Sequence, residues 1–421
     1  MFRENISQTL KEVRIRKLIS QSTLVASVNI ITICSQFFAS KIVAVTLGPA
    51  GIALVGTLQN SVQLAVATGQ CFLGNGVIRW FARYRESEIR QKAVLSFIVS
   101  VLVFSISFSA LSSLFVFIFD VHVRPVPRWF FGLFALVIPI IIVNKFFLNY
   151  CVSQLQVRRW AKIVILQSFL TVSIMLILVQ SLGRAGVVIV FLVSQLPVFL
   201  IVVFSFKGRM RIFNGFRFRL FRYFRSIIMM SLVSMTVKPV FELYVRSVVS
   251  DRLSDVESGL LQVNWYVNGV YLSFFGLLLS THFFPEISRA ASLQEAGKVL
   301  HTRIAQYLLL NAMCCVVVFF FGDLIVRVLF SEDFTSAAST LRVFFVANFM
   351  RIPAIPYAYV LISRGMSKPY VVFEILFYAV QIMVFQFVGV TNYGVAISYL
   401  FGCSFYSLAV MLFVENRIRC A

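Results

Sequence analysis

Long apolar runs alternate with short polar connections along nearly the whole of this chain. A run of about twenty apolar residues is what a helix needs to cross roughly 30 Å of hydrocarbon. The pattern therefore predicts an all-α membrane protein with about twelve transmembrane helices. The predicted spans are residues 18–40, 52–78, 93–119, 129–153, 163–182, 187–206, 227–248, 259–284, 304–326, 339–362, 370–388 and 395–414.

The connections between the predicted spans are short, and none leaves room for a soluble domain. The most unusual of them, residues 207–225, carries seven Lys and Arg residues, five phenylalanines and no acid. In a membrane protein such a segment is typical of a surface linker, with arginines at lipid head groups and rings in the interface. We therefore expect three parts: an N-terminal six-helix bundle over 1–206, a basic amphipathic cytoplasmic linker over 207–226, and a C-terminal six-helix bundle over 227–421.

The composition agrees with this class, since 60% of the residues are hydrophobic and 13% are charged, unlike a soluble domain. A formal net charge of +22 would indicate nucleic acid binding in a soluble protein. Here, however, 27 of the Lys and Arg residues fall on one side of the predicted membrane and 5 on the other. Because basic loops stay in the cytoplasm, this asymmetry predicts cytoplasmic termini, with membrane lipid and no nucleic acid as the partner of the charge.

Six basic residues fall inside the predicted spans: Lys41, Lys145, Lys238, Arg246, Arg342 and Arg351. Charged side chains in hydrocarbon are costly, and they usually face a bundle interior or a water-filled cavity. Lys41 and Arg342 lie near span ends, where snorkelling to the interface is the simpler explanation. Lys145 and Arg351 lie deeper and beside amides, which favours a functional role.

Lys238, Glu242 and Arg246 lie at i, i+4 and i+8 of one predicted helix and so share a face. The stripe either neutralises itself within the lipid or forms a cationic site. In the second case the carboxylate takes up a proton when a phosphate engages one of the bases. Glu374 is another acid within a predicted span, and it forms either an interfacial ion pair or a further coupling group.

Amides are concentrated in the second predicted span of each half. Asn60 follows Gly51 by nine residues and Asn268 follows Gly259 by the same interval, which favours an internal duplication. Gln63 lies about one turn beyond Asn60 on a similar helical face. Amides in hydrocarbon need partners, so these side chains either hydrogen-bond between helices or line a wet cavity.

Motifs for catalysis, nucleotide binding and metal binding are absent from the sequence. There is no G-x-S-x-G, no G-x-x-x-x-G-K-[ST] and no H-E-x-x-H. The seven cysteines and three histidines are scattered without metal-ligand spacing. We therefore expect a transporter rather than an enzyme, without cofactor or metal, driven by an ion gradient or the membrane potential.

Three segments carry a resemblance to a known family: KIVAVTLGPAGIALVGTLQNSVQLAVATGQ (41–70), STHFFPEISR (280–289) and FSEDFTSAASTLRVFFVANFMRIPAIPYAYVLISRGMSKPYVVFEI (330–375). They resemble the Wzx-type flippases for lipid-linked oligosaccharides, of the multidrug/oligosaccharidyl-lipid/polysaccharide exporter superfamily. The resemblance implies two six-helix bundles around a central cavity that opens to one side of the membrane at a time. It also implies undecaprenyl-pyrophosphate carrying an O-antigen-like repeat unit, moved to the periplasmic leaflet of the bacterial inner membrane. Polymerase and chain-length proteins of lipopolysaccharide assembly would then be partners.

Such a substrate needs cations for its pyrophosphate and amides for its sugars at membrane depth. We expect substrate binding by Lys41, Lys145, Lys238, Arg246, Arg351, Asn60, Gln63 and Asn268, and ion coupling by Glu242 and Glu374. A drug or cation antiporter of the same superfamily is one alternative, which a cationic cavity disfavours. A membrane-embedded oligosaccharide polymerase or ligase is another, but the predicted periplasmic loops are too short to hold a catalytic site.

Overall fold

The structure, a computed structural model, describes residues 2–73, 126–153, 156–206 and 218–420, with five single positions between 103 and 111. Apart from those five positions, the third predicted span lies outside the described residues, as do residues 207–217 of the predicted linker. Within the described part of the chain, all regular secondary structure is helical. The all-α class that the apolar runs predict is therefore confirmed.

Thirteen α-helices make up the described residues. In chain order they are α1 (Phe2–Leu73), α2 (Arg128–Ser153), α3 (Val157–Leu182), α4 (Arg184–Val193), α5 (Leu196–Phe206), α6 (Phe218–Arg252), α7 (Asp255–Leu278), α8 (Phe284–Arg289), α9 (Leu293–Leu329), α10 (Ala337–Arg351), α11 (Ala354–Ser363), α12 (Ser367–Val388) and α13 (Asn392–Arg419). A π-helical turn (Leu279–Phe283) joins α7 to α8, and a 3₁₀ turn (Glu332–Phe334) precedes α10.

Eight helical segments among the described residues are long and apolar enough to cross a membrane, and the bent pair α10–α11 makes nine. The segment within α1, Thr23–Ala67, has 45 residues, or about 68 Å of helix at 1.5 Å per residue, enough for two crossings. Gly48 divides it with φ 64° and ψ −161°, a conformation that glycine adopts without steric cost. Pro49 follows and cannot donate to the preceding turn. Two arms result, residues 2–47 and 49–73, which account for the first two predicted spans.

Helix α6 contains the seventh predicted span. Because it carries several charged residues, it is not among the eight segments that are apolar enough to cross a membrane. It starts at Phe218, so residues 218–226 of the predicted linker are the first turns of a membrane helix. The reason is local, because residues 218–226 contain no Gly or Pro to interrupt the helix. The sequence predicts a basic amphipathic surface linker over 207–226. The described part of this range, residues 218–226, is continuous with helix α6.

The two halves of the chain, which we define as residues 1–206 and 227–421, are in contact through α1, α6 and α7. Residues 51–58 of α1 and 258–265 of α7 are buried without exception, whereas Gln63 and Ser273, further along the same helices, are exposed. Gly259 packs so closely on the backbone of Pro49 that a Cβ at this position would overlap the Pro49 carbonyl group. The halves therefore meet at one end, which we call the closed end, and diverge toward the other.

Candidate functional site

The first half contains a cavity of about 330 Å³ between α1, α2, α3 and α4, which we call the first-half cavity. Among the described residues, its polar lining combines hydroxyls, amides and one cation and includes no carboxylate: Thr32, Ser35, Gln36, Ser40, Gln59, Lys145, Gln167, Ser168, Thr171, Ser194 and Gln195. The cavity thus offers many hydrogen-bonding groups and a positive charge. Lys145 is the one sequence-predicted site residue in this lining.

Gln195 organises the amides of this cavity because it lies in the break between α4 and α5. Pro197, two residues later, lacks an N–H and so cannot continue the hydrogen bonds of α4. Nδ2 of Asn144 donates to the Gln195 carbonyl oxygen at 2.9 Å and to Oε1 of Gln195 at 3.4 Å. Nε2 of Gln167 donates to the same Oε1 at 3.2 Å. With Oε1 engaged twice, Nε2 of Gln195 remains a donor for a ligand.

Lys145 stands beside these amides on α2. Its ammonium group has no hydrogen bond or ion pair with any described residue. A charge held away from water without a partner is costly, so it is usually found where a ligand or an ion completes it. Lys145 and Nε2 of Gln195 together form a donor set for an anionic group, surrounded by partners for hydroxyls.

The second half contains a smaller pocket of about 60 Å³ between α6, α7, α10, α12 and α13, which we call the second-half pocket. It brings together four sequence-predicted site residues, Lys238, Glu242, Asn268 and Arg351. Its other members are mostly aromatic or apolar: Phe241, Trp265, Leu272, Phe377, Tyr378, Gln381 and Tyr399. Among the described residues, each of these two cavities is lined by side chains of a single half.

The polar groups of the second-half pocket are paired with one another. Nη1 of Arg351 donates to the Tyr399 hydroxyl at 3.1 Å, and this hydroxyl donates to Oδ1 of Asn348 at 2.8 Å. Nδ2 of Asn348 then donates to Oδ1 of Asn268 at 2.7 Å. The Arg351 guanidinium also lies 4.5 Å from the centre of the Phe377 ring, a cation–π distance. The result is a rigid polar chain across α7, α10 and α13.

Carboxylates are present in this half. Glu242 is 8% exposed and lies 3.6 Å from Nζ of Lys238, its neighbour one turn earlier. Glu374 on α12 accepts a hydrogen bond of 3.4 Å from the Tyr406 hydroxyl. Within the described residues, no group of three or more His, Cys, Asp or Glu residues is placed to hold a metal ion.

Arg246, which we expected to bind substrate, lies outside both cavities. It is 1% exposed, and Nη1 donates to the Thr57 hydroxyl at 3.1 Å and to the Ala53 carbonyl at 3.5 Å. Nη2 donates to Oε1 of Gln262. The stripe of Lys238, Glu242 and Arg246 therefore forms one ion pair and not a ladder, because the guanidinium turns toward the first half.

Lys41 also lies outside both cavities. Its Nζ donates to the carbonyl oxygen of Val328 at 2.6 Å, near the end of α9. Asn60 is 4% exposed, with no hydrogen-bond partner for Nδ2 among the described residues, whereas Gln63 is exposed. Neither amide lines the two cavities, but Gln59 beside them lines the first-half cavity.

Sequence reasoning missed Gln36, Gln167 and Gln195, which lie in the first, fifth and sixth predicted spans. The available signal was the same one that identified Asn60, an amide inside an apolar run.

Comparison with known proteins identifies the fold. No protein-family model matches the sequence. No curated protein matches it with significance. Among solved structures, the inward-facing conformation of a multidrug resistance MATE family transporter of the MOP superfamily matches with a TM-score of 0.75 at 15% identity, over 95% of this chain and 98% of that chain. The outward-facing conformation of such a transporter matches with a TM-score of 0.62 at 13% identity, over 95% and 96%.

A MOP superfamily transporter from Pyrococcus furiosus, described by a reverse polarity of its binding pocket, matches with a TM-score of 0.60 at 16% identity, over 95% and 96% of the two chains. Identities this low show the fold alone. The chain therefore has the fold of these transporters, and the prediction of a multi-pass helical protein with two bundles is confirmed.

Proposed function

We propose that this protein is a flippase that moves an undecaprenyl-pyrophosphate-linked oligosaccharide from the cytoplasmic to the periplasmic leaflet by ion-coupled alternating access. The observation that carries the proposal is the first-half cavity, where Lys145 stands among amides and hydroxyls and has neither a partner nor a neighbouring carboxylate in the described part of the lining. A phosphate group suits the lysine, because hydrogen bonds between charged partners are strong. The hydroxyls of a sugar suit the amides.

The sizes of the two cavities support different roles for them: substrate binding in the first-half cavity and ion coupling in the second-half pocket. Small-molecule sites commonly enclose about 300–1,000 Å³, and the first-half cavity, at about 330 Å³, reaches this range. It is large enough for part of a head group, while the polyprenyl tail stays in the bilayer. The second-half pocket, at about 60 Å³, has room for a few water molecules but not for a sugar. It therefore suits ion coupling through Glu242, with Glu374 nearby on α12.

The position of the closed end indicates which side of the membrane the transport pathway faces in this state. Charge asymmetry predicts that both termini and the basic connections are cytoplasmic, which places the closed end at the periplasmic face. The TM-score is 0.75 to the inward-facing transporter and 0.62 to the outward-facing one, which supports an inward-facing state. In this state the halves, 1–206 and 227–421, diverge toward the leaflet from which the substrate is loaded.

A drug or cation antiporter is the second candidate, because two of the matching structures are described as multidrug resistance transporters. The acid-free lining of the first-half cavity disfavours cationic cargo there. The two candidates differ in the sign of the charge that they transport, so one assay separates them.

The test is uptake into inside-out vesicles or proteoliposomes of a labelled lipid-linked oligosaccharide and, separately, of a lipophilic cation, with and without an imposed pH gradient. We expect gradient-stimulated uptake of the oligosaccharide and its loss in Lys145→Met. Uptake of the cation alone would establish the antiporter. Oligosaccharide uptake equal to that of empty vesicles would refute the flippase.

A further inference from the structure

Two basic side chains cross from one half of the molecule to the other at the closed end. Lys41, in the arm of α1 before Gly48, donates to the Val328 carbonyl of the second half at 2.6 Å. Arg246, in α6, donates to the Thr57 hydroxyl and the Ala53 carbonyl of the first half at 3.1 and 3.5 Å. Each half therefore gives one cation to the other.

The two cations occupy matching places in their helices. Lys41 lies six residues before position 47, where the first arm of α1 ends at the Gly48 break. Arg246 lies six residues before Arg252, the last residue of α6. Each is therefore about two turns from the end of the first described helix of its half. The matching spacing places both cations about two turns from a helix end, although Arg246 is buried and Lys41 is exposed.

Gly56 provides the space that Arg246 occupies. A Cβ at position 56 would lie 2.5 Å from Nη1 of Arg246 and would overlap the Gln262 amide. The Trp265 ring covers the guanidinium from the other side, 5.4 Å from its carbon to the ring centre. Since Arg246 is 1% exposed, α1 and α6 cannot separate here without bringing a buried cation into the open.

Lys41 acts at the end of a helix. The last carbonyls of a helix lack N–H partners and carry partial negative charge, so a cation there is favourable. An aromatic contact crosses between the halves beside it, because Phe37 lies 5.0 Å from the ring of Tyr266 and 6.5 Å from that of Phe330. Separation at this place would expose both the ammonium contact and the rings.

Both cations bind neutral acceptors, and this limits how strongly their hydrogen bonds hold the two halves together. A buried charge is favourable only where its partners repay the loss of hydration, and a carbonyl or hydroxyl repays less than a carboxylate. Glu242, the acid one turn from Arg246, is paired with Lys238 instead. Each of these contacts can therefore open without leaving a carboxylate of the other half unpaired.

We propose that Lys41 and Arg246 form a reciprocal latch that holds the closed end shut and sets the balance between the two access states. This goes beyond the transported substrate, since the latch would gate any cargo. It also reassigns the two residues, from binding substrate to controlling access.

The test measures access to the closed end directly. Ser258 is fully buried in α7 next to Gly259, and its hydroxyl has no partner among the described residues, so Ser258→Cys is a mild reporter. The purified protein in nanodiscs is treated with a hydrophilic thiol reagent. Peptide-level mass spectrometry then follows position 258 separately from the seven native cysteines. In the reporter with the latch intact, we expect slow modification.

Lys41→Met removes one hydrogen bond between the halves and should raise the modification rate about tenfold. Arg246→Met removes two and should raise the rate at least as much, and the double variant should raise it further. Gly56→Ala changes no charge but displaces Arg246, so it should have the same effect. Arg342→Met is the matched control, because its partners, Asp323 and the Phe319 carbonyl, belong to its own half.

Native Cys403 is fully buried within the second half and serves as the control for unfolding. Faster modification at position 258 with Cys403 still protected would support the latch. Unchanged rates in Lys41→Met and Arg246→Met would overturn it. Parallel modification of position 258 and Cys403 would also overturn it, because the two cations would then hold the fold and not the closed end.

Discussion

The first-half cavity and the second-half pocket both place a basic residue inside the membrane, but they treat it in opposite ways. Lys145 has no partner among the described residues and faces about 330 Å³ of space. Arg351 is hydrogen-bonded to Tyr399 and stacked on Phe377, in a pocket of about 60 Å³. An unpaired charge destabilises the empty protein and is ready for a ligand. A paired charge stabilises the fold and has little left to offer a large substrate.

Substitution of Lys145 should break this comparison most strongly. Lys145→Met keeps the length of the side chain but removes the charge that we assign to the phosphate. We expect lipid-linked oligosaccharide transport to fall about a hundredfold, corresponding to the loss of a charged hydrogen bond of about 2.7 kcal/mol. The melting temperature should not fall, since the protein loses no interaction of its own. Vesicle uptake and thermal unfolding, measured on the same preparation, check both expectations.

The matched control for this experiment is Lys162→Met. Lys162 is an exposed lysine on α3 in the same half and lies outside the cavity lining. Its transport should equal that of the unchanged protein. An equal loss of transport in both variants would show that Lys145 contributes only to the net positive charge of the protein.

Gln195→Glu is expected to have the next largest effect, because it places a carboxylate in a lining that has none. The new acid can pair with Lys145 and repel a phosphate. We expect uptake of the lipid-linked oligosaccharide to fall about tenfold, the loss that about 1.4 kcal/mol of binding energy produces. Gln195→Leu removes the amide without adding charge and should reduce transport less. Increased uptake of a lipophilic cation in Gln195→Glu would instead favour the antiporter.

Most of the fold could be predicted from the sequence because a membrane span needs a long apolar run. The predicted spans 129–153 and 370–388 match α2 (Arg128–Ser153) and α12 (Ser367–Val388) within a few residues. Helix α9 was predicted too short, since its first turns are polar and leave the apolar run. Its start is nevertheless encoded: the Ser292 hydroxyl accepts from the Glu295 backbone N–H at 3.1 Å, one part of a capping box.

The bend of 49° between α10 and α11 could not be predicted from the apolar run of the tenth span, which is continuous across it. Proline was the available signal, because Pro353 lies at the break and cannot complete the hydrogen bonds of the helix.

The sequence identifies basic residues that are costly to place in hydrocarbon. It does not identify the hydrogen-bond acceptors that these residues meet in the folded protein. Lys145, Lys238 and Arg351 stood out because a base in hydrocarbon is expensive, and all three line a cavity. Lys41 and Arg246 stood out for the same reason, yet their acceptors are on the other half, at long sequence separation. A sequence shows that a cation lies within an apolar span, but it does not show whether a ligand or a distant carbonyl receives it.

Glu242 and Glu374, the two acids that we expected to couple transport to an ion, test the second-half pocket separately. Glu242 lines the second-half pocket and Glu374 does not. If this pocket serves coupling, Glu242→Gln should lower the stimulation of uptake by a pH gradient severalfold, while uptake without a gradient changes little. Glu374→Gln should cause a smaller decrease. The measurement is initial uptake with and without the gradient, and full stimulation in both variants would remove coupling from this pocket.

The smallest effect on transport is expected for Tyr399→Phe. Its hydroxyl accepts from Arg351 at 3.1 Å and donates to Asn348 at 2.8 Å, so the substitution breaks the polar chain without making a hole. We expect the free energy of unfolding to fall by about 2 kcal/mol, from one charged and one neutral hydrogen bond. Transport should change little, because these groups serve the fold. Tyr393→Phe, an exposed tyrosine at the start of the same helix, is the control for thermal unfolding. A transport loss as large as that of Lys145→Met would mean that the second half also contacts the substrate, and the contrast between the two cavities would fail.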